Sequence, residues 1–299
     1  MRFISRKTID ITSHFWMVIS LVILLLMPIL LAVGLYLKSL PVLHDQSFFD
    51  LLTESEWKPM QGKFGFLPFI TSSLWVTFLS IIIAAPVCVL TAIYLTQYAK
   101  KSILAFMHPV IDILAGLPSV IYGVWGILIV VPFISKTVAP FFGIQTSGYT
   151  ILAGALVLSI MIIPFILNIL IEIFRTIPEE LTEASLSVGA TKWETIKYVL
   201  LKKANPGIIS ATGLGVARAF GETIAVLMVV GNVVKVPTSI FDSGYPLPAL
   251  IANNYGEMLS IPMYDSALML AALILFAIVL LFNFLSRMAI ISSEKKSVI

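Results

Sequence analysis

Residues 15–37 read FWMVISLVILLLMPILLAVGLYL, an apolar run without a charged residue. Because an α-helix rises 1.5 Å per residue, this run is long enough to cross a hydrocarbon core about 30 Å thick. It follows the basic start MRFISRK and exceeds the usual length of a signal-peptide core. The run is therefore predicted to be a retained membrane-spanning helix.

The composition of the whole chain agrees with a membrane location. Of 299 residues, 59% are hydrophobic and 12% are charged, against about 45–50% and about 25% in soluble proteins. The net charge is +3, and the basic residues do not form a patch interleaved with aromatics, which argues against a nucleic-acid partner. The single cysteine, Cys88, lies in an apolar stretch, so the chain has neither an internal disulfide nor a CxxC metal or redox motif.

Five more apolar stretches of sufficient length follow the first. The six predicted spans lie near 15–37, 70–96, 106–131, 150–173, 207–233 and 266–290. The predicted fold class is thus all-α integral membrane with six transmembrane helices. A cytoplasmic N-terminus puts most of the 19 basic residues on the inner side of the membrane, so both termini are predicted to be cytoplasmic.

The longest inner loop carries two helix-start signals. Pro178 suits the first position of a helix, and the glutamates after it place negative charge at the positive end of the helix dipole. Gly189 is predicted to end this helix, and Thr191 and Glu194 have the spacing of a capping box that starts the next one. Residues 178–203 are therefore predicted to project from the membrane as a compact pair of helices.

This segment resembles a known motif. The stretch Glu183-Ala-Ser-Leu-Ser-Val-Gly189 resembles the EAA motif of ABC-importer permeases, with Glu183, Ala184 and Gly189 at motif positions. It departs from the motif at Ser185, which stands for an alanine, at Val199, which stands for an isoleucine, and at Lys202, which stands for a proline. The resemblance implies a type I importer permease with the MetI-like fold, whose coupling helix docks onto a separate ATP-hydrolysing subunit.

The same resemblance implies a division of the chain. Residues 1–69 would form the N-terminal transmembrane helix and a periplasmic loop, and residues 70–290 the ABC transmembrane domain with its coupling segment at about 178–203. Residues 291–299 would form a cytoplasmic tail.

Two strings narrow the resemblance to phosphate permeases. They are Leu114-Ala-Gly-Leu-Pro-Ser-Val-Ile-Tyr-Gly123 in the third predicted span and Arg218-Ala-Phe-Gly-Glu-Thr-Ile-Ala-Val226 in the fifth. After its Gly-Glu-Thr, the second stretch continues with Ile-Ala-Val. This continuation resembles phosphate permeases of the PstC type, whereas those of the PstA type tend to have Ala-Pro there. The resemblance therefore implies a permease subunit for the import of inorganic phosphate, in a bacterial inner membrane.

The implied partners follow from this family. They are a second permease of the PstA type, two ATP-binding subunits of the PstB type, a periplasmic phosphate-binding protein of the PstS type, and membrane lipid. The chain has no GxxxxGK[ST] motif, so it is predicted to be a transport subunit without its own ATPase site. No cofactor or metal is expected on this chain, and ATP and Mg²⁺ would bind the partner ATPase.

Arg218 and Glu222 are the candidate pathway residues. In the fifth predicted span Arg218 falls near the middle of the membrane, where a guanidinium needs a partner or a water-filled cavity. On a continuous helix Glu222 would share its face at the i,i+4 spacing and form an ion pair with it. Resemblance to phosphate permeases implies that both residues are functional. The hypothesis is that Arg218 meets the oxyanion while Glu222 holds or releases Arg218 as the pathway opens, and a purely structural ion pair is the alternative. Ser119, which follows Pro118, is a further candidate for lining the pathway.

Small residues recur along the same predicted span. Gly213, Ala217, Gly221 and Ala225 are spaced every four residues, which predicts a face for close helix packing. Asn168 and Asn232 are predicted to form interhelical hydrogen bonds, and Asp112 to lie near a solvated interface.

Other functions remain open. The closest alternative is a permease for molybdate, sulfate or an amino acid. A stand-alone secondary transporter that uses Arg218 and Glu222 as a relay would not need the 178–203 projection. An intramembrane enzyme is disfavoured because the chain lacks HExxH and GxSxG motifs.

Overall fold

A computed structural model describes residues 6–256 and 262–297, so part of the predicted tail at 291–299 lies outside the described residues. The architecture is helical apart from one two-stranded hairpin. Within the described residues, five helices are long and apolar enough to cross a membrane: Thr12–Asp45, Leu67–Tyr98, Ser119–Phe141, Ile151–Arg175 and Met263–Ser292. The predicted all-α membrane fold is confirmed, and the structure revises the bounds of two of the six predicted spans.

The elements are numbered here in chain order. They are α1 (Arg6–Asp45), α2 (Phe48–Thr53), β1 (Trp57–Lys58), β2 (Lys63–Phe64), α3 (Leu67–Tyr98), α4 (Lys101–Gly116), α5 (Ser119–Phe141), α6 (Ile151–Arg175), α7 (Glu179–Ser187), α8 (Lys192–Thr195), α9 (Leu201–Gly221), α10 (Ile224–Leu227), α11 (Leu247–Asn254) and α12 (Pro262–Ser297). A π-turn at Ile196–Leu200 joins α8 to α9 without a break.

Helix α6 is the centre of the bundle. It is the most buried of the five spans, and it packs against α3, α4, α9 and α10. Its Val157, Leu158, Ile162 and Ile166 are buried in the larger of two apolar cores. By contrast α1 is the least buried span and packs against α12, so most of its apolar surface is left for lipid or for another subunit.

The third predicted span, 106–131, is wrong as a single helix. Helix α4 ends at Gly116, Leu117 and Pro118 are extended, and α5 starts at Ser119. Proline 118 accounts for the break because it disfavours a helical conformation at the preceding residue and has no N–H to donate. The Tyr122 hydroxyl donates to the Leu114 carbonyl across the break at 2.7 Å, which satisfies one freed backbone group.

The fifth predicted span, 207–233, is also broken. Helix α9 ends at Gly221, Glu222 is extended (φ −72°, ψ 126°), and α10 is only four residues long. Beyond α10, Gly231 and Asn232 both have positive φ angles and turn the chain back. Broken helices at membrane depth occur where the backbone is buried in protein or lines a cavity.

The 228–246 loop is held tightly to the rest of the bundle. The Tyr245 and Leu247 amides donate to the hydroxyls of Ser72 and Ser73 on α3, at 3.0 and 2.8 Å. Asn232 donates its side-chain amide to the Leu227 carbonyl at the end of α10, so the predicted interhelical role of Asn232 is wrong.

The second core lies at the end of the bundle that carries the β1–β2 hairpin. Trp57 of the hairpin packs edge-on against Phe64, Phe69 and Tyr264, with ring centroids 5.0 to 5.9 Å apart. This arrangement is favourable for aromatic rings. The hairpin thereby joins α3 to α12.

Residues 178–203 form a projection at the opposite end of the bundle, called the knob below. Ser185 of α7 and Thr195 of α8 share a hydrogen bond of 2.9 Å between their hydroxyls. Lys192 of α8 places its Nζ 4.5 Å from the ring centre of Tyr98, the last residue of α3. The predicted pair of helices is therefore confirmed, and it is tied to the end of a membrane helix.

Candidate functional site

Arg218 lies on the exposed side of α9. Its guanidinium sits 4.7 Å from the ring centre of Phe165 on α6, a cation–π contact. It also interacts electrostatically with the Tyr122 hydroxyl, beside the α4–α5 break. Among the described residues it forms neither an ion pair nor a hydrogen bond. Its N–H groups are therefore free to bind a ligand.

Glu222 does not pair with Arg218, so that prediction is wrong. Because α9 ends at Gly221, the i,i+4 geometry of a continuous helix is lost. The Glu222 carboxylate instead accepts a hydrogen bond of 3.1 Å from the Ala225 amide and caps α10. It lines a small internal cavity with Thr77 of α3 and Pro246, whereas Arg218 faces Phe165 of α6.

The predicted ladder of small residues is divided by the same break. Gly213 is packed, since a Cβ atom there would overlap the Ser286 side chain of α12. Ala217 is half-buried, and a Cβ at Gly221 would meet open space. Ala225 is buried on α10, beyond the break. The four residues therefore do not form one packing face: Gly213 packs closely against α12, whereas Ala225 lies against α5, where a Cβ at Gly123 would be 3.3 Å from the Ala225 Cα.

Ser119 is the first residue of α5 and is half-buried. The described contacts do not join it to Arg218 directly. Tyr122, one helical turn further along α5, provides the link because it interacts with Arg218. Helix α5 packs against α10, and a Cβ at Gly123 would meet the Met228 sulfur. The structure thus brings the two helix breaks side by side.

The knob carries both a cleft and exposed apolar side chains. Glu183, itself exposed, lines a cleft of about 540 Å³ together with Thr182, Leu186 and Arg175 of α6. Val188 is 83% exposed at the end of α7, and Trp193 of α8 is 52% exposed. Ala184 is exposed as well. Exposed apolar side chains on a projection are typical of a protein-docking surface.

Gly189 ends α7 in the left-handed conformation, with φ of +86°. Its amide donates to the Leu186 carbonyl and the Ala190 amide donates to the Ser185 carbonyl, which is how helices commonly finish at a glycine. The next residues form the predicted capping box: the Thr191 hydroxyl accepts from the Glu194 amide, and the Glu194 carboxylate accepts from the Thr191 amide. The hydrogen bond from the Thr191 backbone, followed by that from its hydroxyl, lowers the pKa of Glu194.

The positive φ angle of Gly189 predicts that a β-branched residue at this position would disturb the knob. In the importer that the sequence resemblance implies, we expect Gly189→Val to weaken transport about fivefold or more, because a β-branched residue is strained at positive φ and would shift α8 relative to α7. Gly189→Asn is the matched control, since asparagine tolerates this conformation. ATP-driven uptake by the assembled complex measures the difference; equal activity of both variants would contradict a conformational role.

One polar pair was not predicted from the sequence. The Asn168 side chain on α6 donates a hydrogen bond of 2.9 Å to the Asp112 carboxylate on α4. The predicted interhelical bond of Asn168 is confirmed, but its partner is 56 positions away and no spacing rule connects the two. Phe165 was missed for the same reason. Val188 and Trp193, however, could have been found as apolar residues in an otherwise polar segment.

Comparisons with known proteins bear on this arrangement. Residues 88–290 match the family model described as "Binding-protein-dependent transport system inner membrane component". The chain belongs to this family. The permease is also 39% identical to the "Probable ABC transporter permease protein YqgH" of Bacillus subtilis, with 83% of this chain and 78% of the relative covered.

Two further relatives carry phosphate in their names. The permease is 33% identical to "Phosphate transport system permease protein PstC" of Xylella fastidiosa, over 85% of this chain and 81% of the relative. It is 34% identical to "Probable phosphate transport system permease protein PstC" of Methanocaldococcus jannaschii, over 85% of each.

Solved structures show the same fold at lower identity. A chain of a bacterial alginate ABC transporter in complex with a periplasmic protein superimposes with a TM-score of 0.63 at 15% identity, over 94% of this permease and 93% of that chain. A chain of the MetNI methionine ABC transporter gives 0.54 at 22% identity, over 80% and 99%. The predicted MetI-like permease fold is therefore confirmed.

Proposed function

We propose that this permease forms, with a second permease of the PstA type, the membrane pathway of an importer for inorganic phosphate. Two PstB-type subunits would hydrolyse ATP, and a PstS-type protein would deliver phosphate. The names of the PstC relatives support the substrate class. The observation that carries the proposal is Arg218, a guanidinium with unpaired N–H groups on an exposed helix face beside two helix breaks.

An arginine in this setting suits a phosphate ion. The guanidinium is planar and can donate two parallel hydrogen bonds to an oxyanion. Phe165 holds one face of the guanidinium through the cation–π contact and leaves the N–H groups at its edge accessible. In the assembled importer, the second permease would cover this face and exclude lipid from the charge.

The knob would connect ATP hydrolysis to this site. From Lys192 to Gly221 the chain is helical throughout, including the π-turn at Ile196–Leu200. At 1.5 Å per residue this helix is about 45 Å long. A movement of the docked knob would therefore be transmitted along α9 to Arg218, near its far end. Glu222 would hold α10 against the end of this helix through the Ala225 amide.

We place the protein in a bacterial inner membrane with both termini cytoplasmic, so that the knob is cytoplasmic and the hairpin periplasmic. The excess of basic residues in the predicted inner segments supports this orientation. A cytoplasmic knob would be accessible to ATPase subunits.

Uptake of labelled phosphate tests the proposal. The complex of this permease with its partner permease, ATPase and binding protein is reconstituted into liposomes, with sulfate, molybdate and methionine as competitors. We expect saturable, ATP-dependent phosphate uptake that none of the three competitors inhibits. Uptake that is absent, or that follows another anion or an amino acid, would contradict phosphate as the substrate while leaving the family membership unaffected.

A further inference from the structure

The Asp112–Asn168 pair lies next to the proposed anion site. Asn168 follows Phe165 by three residues on α6, so their side chains share a face of that helix. Phe165 carries the Arg218 guanidinium, and Asn168 holds the Asp112 carboxylate at 2.9 Å. Because α6 runs towards the knob, Asp112 is about one helical turn closer to the knob than Arg218. An anion that left Arg218 along this face of α6 towards the knob would meet Asp112 next.

The pair is oriented and accessible. Asp112 is exposed on α4, and among the described residues it has no basic partner. The Asn168 Oδ1 atom is buried and has no hydrogen-bond partner. The hydrogen bond from the NH₂ group of Asn168 therefore goes to Asp112 and fixes the orientation of the amide. The carboxylate is thereby held about one helical turn along α6 from the contact between Arg218 and Phe165.

The surrounding charges leave Asp112 unneutralised. His108, one turn earlier on α4, has a buried Nε2 atom with no partner in the described part of the chain. On α6 the next charged residue towards the knob is Glu172, which is already paired with Arg175 at 3.0 Å. Arg218, which would neutralise a carboxylate if it were in contact, is instead held over Phe165.

A carboxylate on an anion route has a chemical consequence. It repels an oxyanion that carries no proton, but it accepts a hydrogen bond from one that does. Inorganic phosphate carries at least one P–OH group near neutral pH, whereas sulfate and molybdate carry none. Asp112 therefore penalises sulfate and molybdate while it contacts phosphate favourably.

Resting on the proposed function, we propose that Asp112 is a specificity-determining residue that selects protonated oxyanions at the knob side of Arg218. Asn168 is the positioning residue, because its side-chain amide orients the Asp112 carboxylate. The permease thus adds a second selection step to the one made by any binding protein that delivers the substrate. The chemical class selected is a tetrahedral oxyanion with a hydroxyl group.

The test measures binding without the binding protein, whose own selectivity would mask the effect. The detergent-solubilised complex of both permeases and the ATPase is equilibrated with labelled phosphate, and sulfate is added as competitor. In the wild type we expect sulfate to compete at least about tenfold less well than unlabelled phosphate. In Asp112→Asn, sulfate should compete about ten- to hundredfold better, which is the range for gaining or losing a hydrogen bond to a charged group.

Matched variants separate selectivity from stability. Asp112→Glu keeps the carboxylate and should keep the preference for phosphate, and Asn168→Ala should relax the preference in part because the carboxylate is no longer oriented. Asp50→Asn removes an exposed aspartate from α2 and should change nothing. Gel filtration shows whether each complex is intact. If the Asp112→Asn complex does not assemble, the loss of preference for phosphate over sulfate is measured in Asn168→Ala instead.

The outcomes distinguish the two proposals. If Arg218→Gln abolishes phosphate binding but Asp112→Asn leaves the ratio of phosphate to sulfate unchanged, Asp112 is not a selectivity residue and only this inference fails. If the wild type binds no phosphate, or Arg218→Gln binds it as well as the wild type does, the proposed function fails and this inference fails with it.

Discussion

Arg218→Gln is expected to reduce phosphate uptake by about a hundredfold or more, because the amide of glutamine cannot replace the charge-assisted, bidentate contact of a guanidinium with an oxyanion. Removal of a hydrogen bond to a charged ligand costs about 1.5–3 kcal/mol, and two such bonds are lost here. Uptake by the reconstituted importer is the measurement. Arg218→Lys should retain part of the activity, because it keeps the charge but not the planar donor pair.

Assembly is expected to survive this change. Arg218 is exposed within the subunit and its described contact is with the face of Phe165, so its loss leaves no buried partner unpaired. Arg287→Gln on α12 is the control, since it removes a second exposed arginine from a membrane helix. If gel filtration shows that the Arg218→Gln complex does not assemble, Arg218 has a structural role and the expected role in phosphate transport is contradicted.

Val188→Asp is expected to weaken the binding of the ATPase subunits about thirtyfold or more. Val188 is 83% exposed at the end of α7, close in sequence to the exposed Trp193. In a docked complex both would be desolvated at the centre of the contact, where a few residues contribute about 2 kcal/mol or more. An aspartate there would bring an unpaired charge into an apolar pocket.

Co-purification of the ATPase with the membrane subunits, and its activity in the complex, measure the effect of Val188→Asp. Met60→Asp makes the same change at an exposed apolar residue of the hairpin, at the other end of the molecule, and should leave ATPase binding unchanged. Trp193→Ala should weaken binding as well. Full ATPase binding by Val188→Asp would show that the exposed side of the knob does not face the ATPase.

Some of the site could be predicted from the sequence because its signals are local. The apolar runs specify membrane helices through their length alone, and the capping box at Thr191 and Glu194 starts α8 as expected. The left-handed turn at Gly189 is another local property, since glycine adopts it without steric cost. Arg218 was identified because a charge in an apolar stretch is conspicuous in any sequence.

The partners of these residues could not be predicted in the same way. The expected Arg218–Glu222 pair assumed a continuous helix, and the chain instead breaks after Gly221. Arg218 instead contacts Phe165 on another helix, and Glu222 caps α10 locally; the Asp112–Asn168 bond likewise joins two helices. Glu183 likewise matched the motif, but only the fold shows that it lines a cleft with Arg175 of α6.

The sequence by itself determined that this protein is a helical membrane protein with a capped projection, because hydrophobic length and capping depend on neighbours along the chain; its resemblance to a known motif implied a permease. Only the tertiary structure decided where the helices break and which polar groups meet. A break is stable only if other elements satisfy the freed backbone groups, as Tyr122 does for Leu114. Side chains on different helices meet only through the packing of those helices, and that geometry is a property of the whole bundle.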